Sequence, residues 1–475
     1  MRILLVVHDC LTMPLGAGYL GAVARQAGHE VRLGVLLHDD IVDLARSFGA
    51  DMIGFTATTG FHARYLALAH TIKAALPSVM VVMGGAHPTF FPEVIERHPT
   101  LDAICIGEGE EALVEFLEAL ASGRDHTCVR NFWVRAPGKG VIRNPLRPRI
   151  ENLDEIPFPD RTLWHPYSRR MTLKTPFVMA SRGCPYRCSY CFNHAYNRLY
   201  DFDGRVVRRR SVDNVIGELR VLRTKYPVEL VVFQDDIFIL DADWIREFAQ
   251  RYRTEIAIPF HCHLRANLVT EEVVTALAKA GCVSVKMAIE AADEGIRNDL
   301  LKRGMTREQI LRATALVRDA GIVLVTQNIL GSPGETIAQA METLRLNILC
   351  KPSYAFATLL QPYPRTEIGE YAREHGLLMG DPSEADHPSF FDRSMLRLQD
   401  RVGMERLRML FPLIVEWPAM IRILPLLLRL PLGGMYGLAD KLWKGYAVKY
   451  REMPYRLSIR EYVNSLRAYF SSSYY

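Results

Sequence analysis

The chain has 475 residues, 49% of them apolar, with 58 basic and 53 acidic side chains and a net charge of +5. That length suits two or three domains, the apolar share excludes wholesale disorder, and so small a basic excess gives no reason to expect nucleic acid as a partner. Residues 1–7 read as a strand with no basic leader and long apolar stretch, so no signal peptide is expected and the location read from this is cytoplasmic.

Residues 1–125 alternate short apolar runs with helical patterns. Candidate strands cover 3–7, 52–55, 79–83 and 103–106; helices cover 15–27, 61–75 and 110–121. The alternation predicts a doubly wound parallel α/β sheet that binds ligands at the C-terminal ends of its strands. Thr56, Thr58 and Thr59 follow the second strand. Gly84, Gly85, His87 and Thr89 follow the third, and Gly107, Glu108, Gly109 and Glu110 the fourth. Glycines there let a bulky ligand approach the backbone, and hydroxyls can bond it. Each turn alone is an ordinary strand-to-helix connection; three on one edge read as a binding edge.

Residues 126–170, with Pro145, Pro148, Pro157 and Pro159, read as a linker. A second alternating region, 171–376, holds six short apolar runs at 177–180, 229–233, 257–261, 284–289, 323–327 and 354–360. Between the first two, Val212, Val215, Ile216, Leu219 and Leu222 recur at helical spacing after Ser211, which is placed to cap. Six strand–helix units predict a partial barrel with its site at the strand ends. Polar residues collect there: Gln234, Asp235 and Asp236; His263 and Arg265; Glu290; Asn328 and the turn 331–335; then 361–364. Burying that many charges in a core would be costly, which favours a shared mouth. Gly204 and the run 205–210 read as a solvated loop.

The first run leads into Cys184, Cys188 and Cys191, a Cys-x3-Cys-x2-Cys loop. Three thiolates on one loop can hold three corners of a [4Fe–4S] cube and leave one iron open for a substrate or cofactor. A structural zinc site is the alternative, with His194 as a fourth ligand, although zinc usually takes two separated pairs. The other cysteines, Cys10, Cys105, Cys128, Cys262, Cys282 and Cys350, are scattered and read as buried free thiols of a reducing compartment.

From 377 to 475 the pattern is helical. The stretch 411–439 is strongly apolar, but Glu416, Arg422 and Arg429 interrupt it and Pro412, Pro418, Pro425 and Pro431 break it into short helices, so it is a poor membrane span. A helical lid over the site is the first reading; an interfacial surface, touching a membrane or a lipid-like substrate, is the second.

The cysteine spacing, with Tyr190 just before the third cysteine, resembles the radical S-adenosylmethionine (SAM) superfamily. The resemblance implies that Cys184, Cys188 and Cys191 hold the cluster and that its open iron chelates SAM. It also implies SAM contacts from Tyr190 at the adenine, Asp236 or Asp235 at the amino group, Glu290 at the ribose, Asn328 with the 331–335 turn, and Arg265. The N-terminal third resembles the cobalamin-binding domain that precedes many such barrels. That likeness rests on Pro14, Gly16, Gly18, Tyr19 and Leu20, on residues 28–31 before a further strand, and on the Thr56–Thr58, Gly84–Gly85–His87–Thr89 and Gly107–Glu108–Gly109–Glu110 edge. No Asp-x-His-x-x-Gly string occurs, so a cobalt without a histidine of this domain below it is implied.

Together the resemblances imply a cobalamin-dependent radical SAM enzyme, a C-methyltransferase acting on a small-molecule or natural-product substrate and fed by a flavodoxin- or ferredoxin-like electron donor. An oxidative cyclase or rearrangement enzyme of the same architecture, and a cobalamin-binding sensor with a silent barrel, are the alternatives.

Overall fold

The computed structural model describes residues 1–9, 13–168, 174–201, 205–381 and 393–452. Cys10, Gly204 and residues 453–475 lie outside the described residues. The chain forms two compact units, the first holding the described residues up to 168 and the second most of those that follow.

The first unit contains strands β1 (Arg2–Val7), β2 (Glu30–Val35), β3 (Met52–Thr56), β4 (Met80–Gly84), β5 (Ala103–Cys105), β6 (Phe132–Ala136) and β7 (Gly140–Arg143). Its helices are α1 (Leu15–Gln26), α2 (Ile41–Phe48), α3 (His62–Ala75), α4 (Ala86–Phe90), α5 (Val94–Arg97) and α6 (Glu110–Ser122). Sheet order is β2-β1-β3-β4-β5-β6-β7, with β1 to β5 parallel and β6 and β7 antiparallel. Strand β1, inside the parallel part of the sheet, is buried on both faces, which is why Ile3, Leu4, Leu5, Val6 and Val7 read as an unbroken apolar run. Sequence order reverses between β1 and β3, the switch point where a crevice opens in such sheets.

The expected linker is part of this unit. Residues 132–143 extend the sheet as a hairpin, and 159–164 pack on α1, where a Cβ on Gly18 would stand 2.9 Å from Pro159 Cβ. Tyr19 lies with Leu153 and Ile156 in a small core beneath that segment.

The second unit begins with β8 (Phe177–Val178), β9 (Ser181–Arg182), the first half of α7 (Phe192–Leu199), whose residues from Tyr196 on belong to the first unit, β10 (Arg208–Arg209), α8 (Val212–Lys225) and β11 (Val231–Phe233). It continues with α9 (Ala242–Glu255), β12 (Phe260–Leu264), α10 (Glu271–Ala280), β13 (Cys282–Glu290), α11 (Arg307–Asp319), β14 (Val323–Leu330), α12 (Ile337–Cys350) and β15 (Tyr354–Leu359). The helices α13 (Glu367–Glu374), α14 (Arg401–Glu416), α15 (Leu424–Leu427) and α16 (Gly433–Ala447) follow. Six strands run parallel in the order β15-β14-β13-β12-β11-β8, the expected six-unit barrel. Ser211, Asp241, Thr270, Thr306, Thr336 and Thr366 each cap a helix by accepting the backbone N–H three residues on. Each such cap contributes about 1 kcal/mol. Phe233, Phe238, Phe248, Tyr252 and Phe260 pack edge to face in the core.

Three expectations need correction. The run after Gly204 is not a solvated loop. Arg208 and Arg209 pair with β9, Arg209 stacks on Trp244, and buried Arg210 bonds buried Glu218 at 2.6 Å. Cys128 is exposed, whereas Cys105, Cys262, Cys282 and Cys350 are buried. Pro412 does not break a helix, since α14 runs through it. Among the described residues, α14 of the expected lid packs against β15 and α12. It is the strap 394–398 that meets the strand ends, through Leu396 beside Tyr190 and Ser394 on the Leu360 carbonyl. Among the described residues no helix is long and apolar enough to cross a membrane.

Candidate active site

The cysteine loop leaves β8 through a turn fixed at both ends. Asp235, fully buried at the end of β11, accepts from the Ala180 N–H at 3.1 Å and the Ser181 hydroxyl at 2.5 Å. Gly183 adopts φ +90°, and a Cβ there would overlap the Val206 carbonyl oxygen, so only glycine fits. Farther along, Ser189 bonds both Leu300 and Leu301 and accepts from the Ile368 N–H. The loop therefore hangs between β11, the turn after β13 and the start of α13.

Around it stands a charged network. The Cys188 sulfur receives Arg303 at 3.6 Å and Arg265 at 3.8 Å. Arg303 also donates to the Tyr190 hydroxyl at 3.2 Å and the Ala288 carbonyl at 2.8 Å. The Tyr190 hydroxyl donates to Glu290 at 2.7 Å. Arg265 lies 3.6 Å over the Tyr186 ring, bonds Asn267, and donates to the Arg303 carbonyl. Glu290 sits at φ +69°, beside a register shift in β13, a strained conformation for a residue with a Cβ. Strain of that kind persists only where surrounding contacts hold it, and here Tyr190 and Arg303 do.

Burial pushes the Glu290 carboxyl up against the opposing pull of Arg303. Burial likewise raises Asp236, while a bond to Asn193 pulls it down. The thiols follow the same logic: burial pushes Cys184 up to about 11 and Cys191 up to about 12. A metal would have to displace those protons on binding, and the Arg265 and Arg303 guanidiniums stand beside the Cys188 sulfur.

The donor set fits an iron–sulfur cube. Among the described residues no three His, Cys, Asp or Glu side chains converge where a single ion would sit. A cube needs one thiolate on each of three irons, and three sulfurs on one loop beside cations supply that.

Other expected residues fall in different places. Asp236 faces the loop, with its charge felt at Cys184 and Cys191, whereas both oxygens of Asp235 are bonded internally. The Asn328 side chain is engaged within the second unit. It is buried, exchanges hydrogen bonds with Asn347 of α12 at 2.7 and 3.2 Å, and donates to the Phe356 carbonyl. Its amide belongs to the helix-facing core; the turn after it reaches the strand end. There the Glu335 carboxylate accepts from the Ser332 N–H at 2.8 Å, and burial pushes its pKa up to about 7. His263 bonds the Asp235 carbonyl, and burial lowers it to about 4. Arg303, Tyr186 and Asn193 were missed in the sequence.

In the first unit, the strand-end residues come together as expected, mostly bonded to one another. Thr89 donates to the Gly85 carbonyl at 2.7 Å and accepts from the Gly107 N–H at 3.1 Å, tying two loops. Gly85, at φ +97°, lets its backbone approach Ala57, where a Cβ would meet the carbonyl oxygen at 2.7 Å. Glu108 accepts from Ile150 N–H at 3.1 Å. His87 stacks on His62 at 3.7 Å and meets Thr59, a buried packing role rather than a metal-facing one. Pro14 precedes α1, Gly16 and Thr58 are exposed, Thr56 and Gly84 are half-buried, Gly109 precedes α6, and Glu110 begins it. Tyr19 packs in its small core with Leu153 and Ile156, with Ile150 against them. Gly84 and Gly107 are both half-buried, and at Gly107 a Cβ would overlap the Tyr200 hydroxyl, so the loop there needs glycine.

Comparison with known proteins agrees with both halves. The radical SAM superfamily model matches residues 178–346 and the B12 binding domain model residues 1–117. An uncharacterized methyltransferase of Pyrococcus horikoshii is 33% identical over 375 residues, spanning 77% of this chain and 80% of that one. The anaerobic magnesium-protoporphyrin IX monomethyl ester cyclase of Rubrivivax gelatinosus is 27% identical over 375 residues, spanning 75% and 65%. The fold matches the radical SAM methyltransferase TsrM of Kitasatospora setae, solved with tryptophan and a SAM analog, at a TM-score of 0.66 and 20% identity, covering 80% and 77% of the two chains. The chain therefore belongs to the radical SAM superfamily, in the branch that carries a B12 binding domain ahead of its barrel.

Proposed function

We propose that the protein is a cobalamin-dependent radical SAM C-methyltransferase acting on an unactivated carbon of a small molecule. The observation that carries the reading is the three-thiolate loop set against the Tyr190–Glu290–Arg303 network, in a chain whose other unit is a B12 binding domain. The 33% identity to a protein named a methyltransferase supports methyl transfer. The similarity to the cyclase supports a second reading, radical cyclisation without methyl transfer.

With the cofactors bound, the cluster and SAM supply a 5′-deoxyadenosyl radical and methylcobalamin supplies the methyl group. The chain's residues position and insulate. Cys184, Cys188 and Cys191 would hold the cluster, and Arg265 and Arg303 would offset the thiolate charge at Cys188. Tyr190 leaves one oxygen of Glu290 for a ribose hydroxyl while fixing the other. Asp236, its carboxyl raised by burial, gains on meeting an ammonium group, which restores its charge. The strap 394–398 narrows the mouth beside Tyr190 and limits water. A one-electron donor of the flavodoxin or ferredoxin class completes the cycle.

The test is anaerobic reconstitution with cluster, cobalamin and SAM, followed by analysis of small products. 5′-Deoxyadenosine lost in Cys188→Ala, together with S-adenosylhomocysteine and a methylated product, is expected. 5′-Deoxyadenosine without S-adenosylhomocysteine, with an unmethylated product, would overturn methyl transfer in favour of cyclisation. No SAM binding to the loaded cluster would overturn both.

A further inference from the structure

Helix α16 is built inside out. Its inward face carries Tyr436, Asp440, Lys444 and Ala447, all buried. Asp440 is bonded to Arg408 at 2.9 Å, and the Lys444 ammonium lies 4.8 Å over the Phe356 ring. Its outward face carries Met435, Leu438, Leu442 and Tyr446, exposed to 63%, 56%, 62% and 42%. At 100° per residue these four fall in a sector roughly 80° wide, one continuous apolar stripe. A helix on a water-facing surface ordinarily shows the reverse order.

The stripe continues in aromatics. Trp417, half exposed, lies 4.9 Å from Trp443, which stacks on Tyr446 at 5.2 Å, which meets Tyr450 at 5.0 Å. Ile423 and Leu426 are exposed on the preceding turns. Between 417 and 448 the sole acidic residue is Asp440, which is buried, whereas Arg422, Arg429 and Lys441 are exposed. Apolar residues, interfacial aromatics and uniformly positive charge are the chemistry of a surface that lies in an anionic lipid headgroup layer. A symmetric pairing of two copies would instead set cations against cations with no exposed acid in the segment to offset them.

We propose that this face docks on an anionic lipid bilayer, with α16 lying in the interface, its apolar stripe among the acyl chains and Arg422 and Arg429 near the phosphates. The docking is independent of which reaction the barrel performs. It brings the enzyme to a surface without spanning it.

Flotation of the full chain with phosphatidylcholine vesicles, with and without phosphatidylglycerol, tests it. Binding to the phosphatidylglycerol vesicles that weakens with salt is expected. Leu438→Glu with Leu442→Glu should reduce it at least tenfold, and Arg422→Gln or Arg429→Gln roughly fivefold each. Cluster content and circular dichroism should match the parent, since all four side chains point outward; if the glutamate pair fails to fold, the arginine variants carry the test alone. No partition into anionic vesicles, equal partition into neutral ones, or binding unaffected by the variants would overturn the proposal. So would a parent dimer that the glutamate pair dissociates without any vesicle binding, which would assign the face to a second copy. Crosslinking of Leu442→Cys to residues 453–475 in a chain that ignores vesicles would also overturn it.

Discussion

Arg303 links the three-cysteine loop to the Tyr190–Glu290 pair. Its two nitrogens reach Cys188, Tyr190 and Ala288 while it is 7% exposed, so its charge acts with little screening. Replacing Arg303 with Gln removes a cation beside a cluster that gains negative charge on reduction. The midpoint potential should fall by roughly 40–90 mV, about 1–2 kcal/mol for a one-electron couple. Arg303→Lys should keep most of the potential while loosening Tyr190 and Glu290, which would weaken SAM binding. An electron-paramagnetic-resonance redox titration separates the two; an unchanged potential in Arg303→Gln would remove the arginine from this role. His87 gives a second expectation. Burial, then the neighbouring His62, lowers it from 6.5 to about 3. The unfolded chain takes up this proton below about 6.5 and the folded chain does not, so the stability contribution is complete above 6.5 and is lost as pH falls toward 3. By about pH 5 the loss is on the order of 2 kcal/mol. Thermal melts of His87→Phe between pH 7 and pH 5 should show a flatter acid limb than the parent. Arg303 was invisible in the sequence because a lone arginine between Lys302 and Gly304 reads as a solvated loop; only the fold turns it inward.

At the scale of elements, the glycines at two loops are sharper tests than the ligating residues. Gly183→Ala drives a methyl group into the Val206 carbonyl, a backbone atom that cannot move aside, and should abolish cluster incorporation with the cysteines intact. Gly85→Ala should instead weaken cobalamin retention, since its Cβ would push the β4 loop off Ala57. Iron content and cobalamin absorbance of the two variants check this, and cobalamin loss in Gly183→Ala alone would contradict it. The six barrel strands and the helix after Ser211 were legible in the sequence because apolar runs buried on both sides have few other ways to fold. Strand β2 was harder: Glu30 and Arg32 interrupt it, as its place at the sheet edge allows. The hairpin β6–β7 hid among prolines and arginines, and its pairing is with β5, far away in sequence. The bonds of Asn328 to Asn347 and the Phe356 carbonyl could not be read from its strand position alone. In a strand that alternates, one residue decides between mouth and helix layer.

For the whole molecule, the two units have separate cores, one built on Leu4, Ile53 and Val81 and the other on Phe233, Phe248 and Phe260. Each unit also holds its own set of strand-end loops. Those loops are stitched by side-chain to backbone bonds, Thr89 to Gly85 and Gly107 in one, Ser189 to Leu300 and Glu335 to Ser332 in the other. A ligand that orders such loops lowers their local opening, and the effect stays with the loops it touches. Cobalamin should therefore slow amide exchange at 56–60, 84–89 and 107–110, leaving 183–191 unchanged. SAM added to the cluster-loaded enzyme should protect 183–191, 290–303 and 331–335. A hundredfold excess over Kd corresponds to about 2.7 kcal/mol, close to a hundredfold slower exchange where opening is local. Protection by SAM limited to the first unit's loops would mean that the nucleoside is not held by the network around Cys188. Protection by cobalamin limited to 183–191 would mean the same for the corrin and the sheet edge of the first unit.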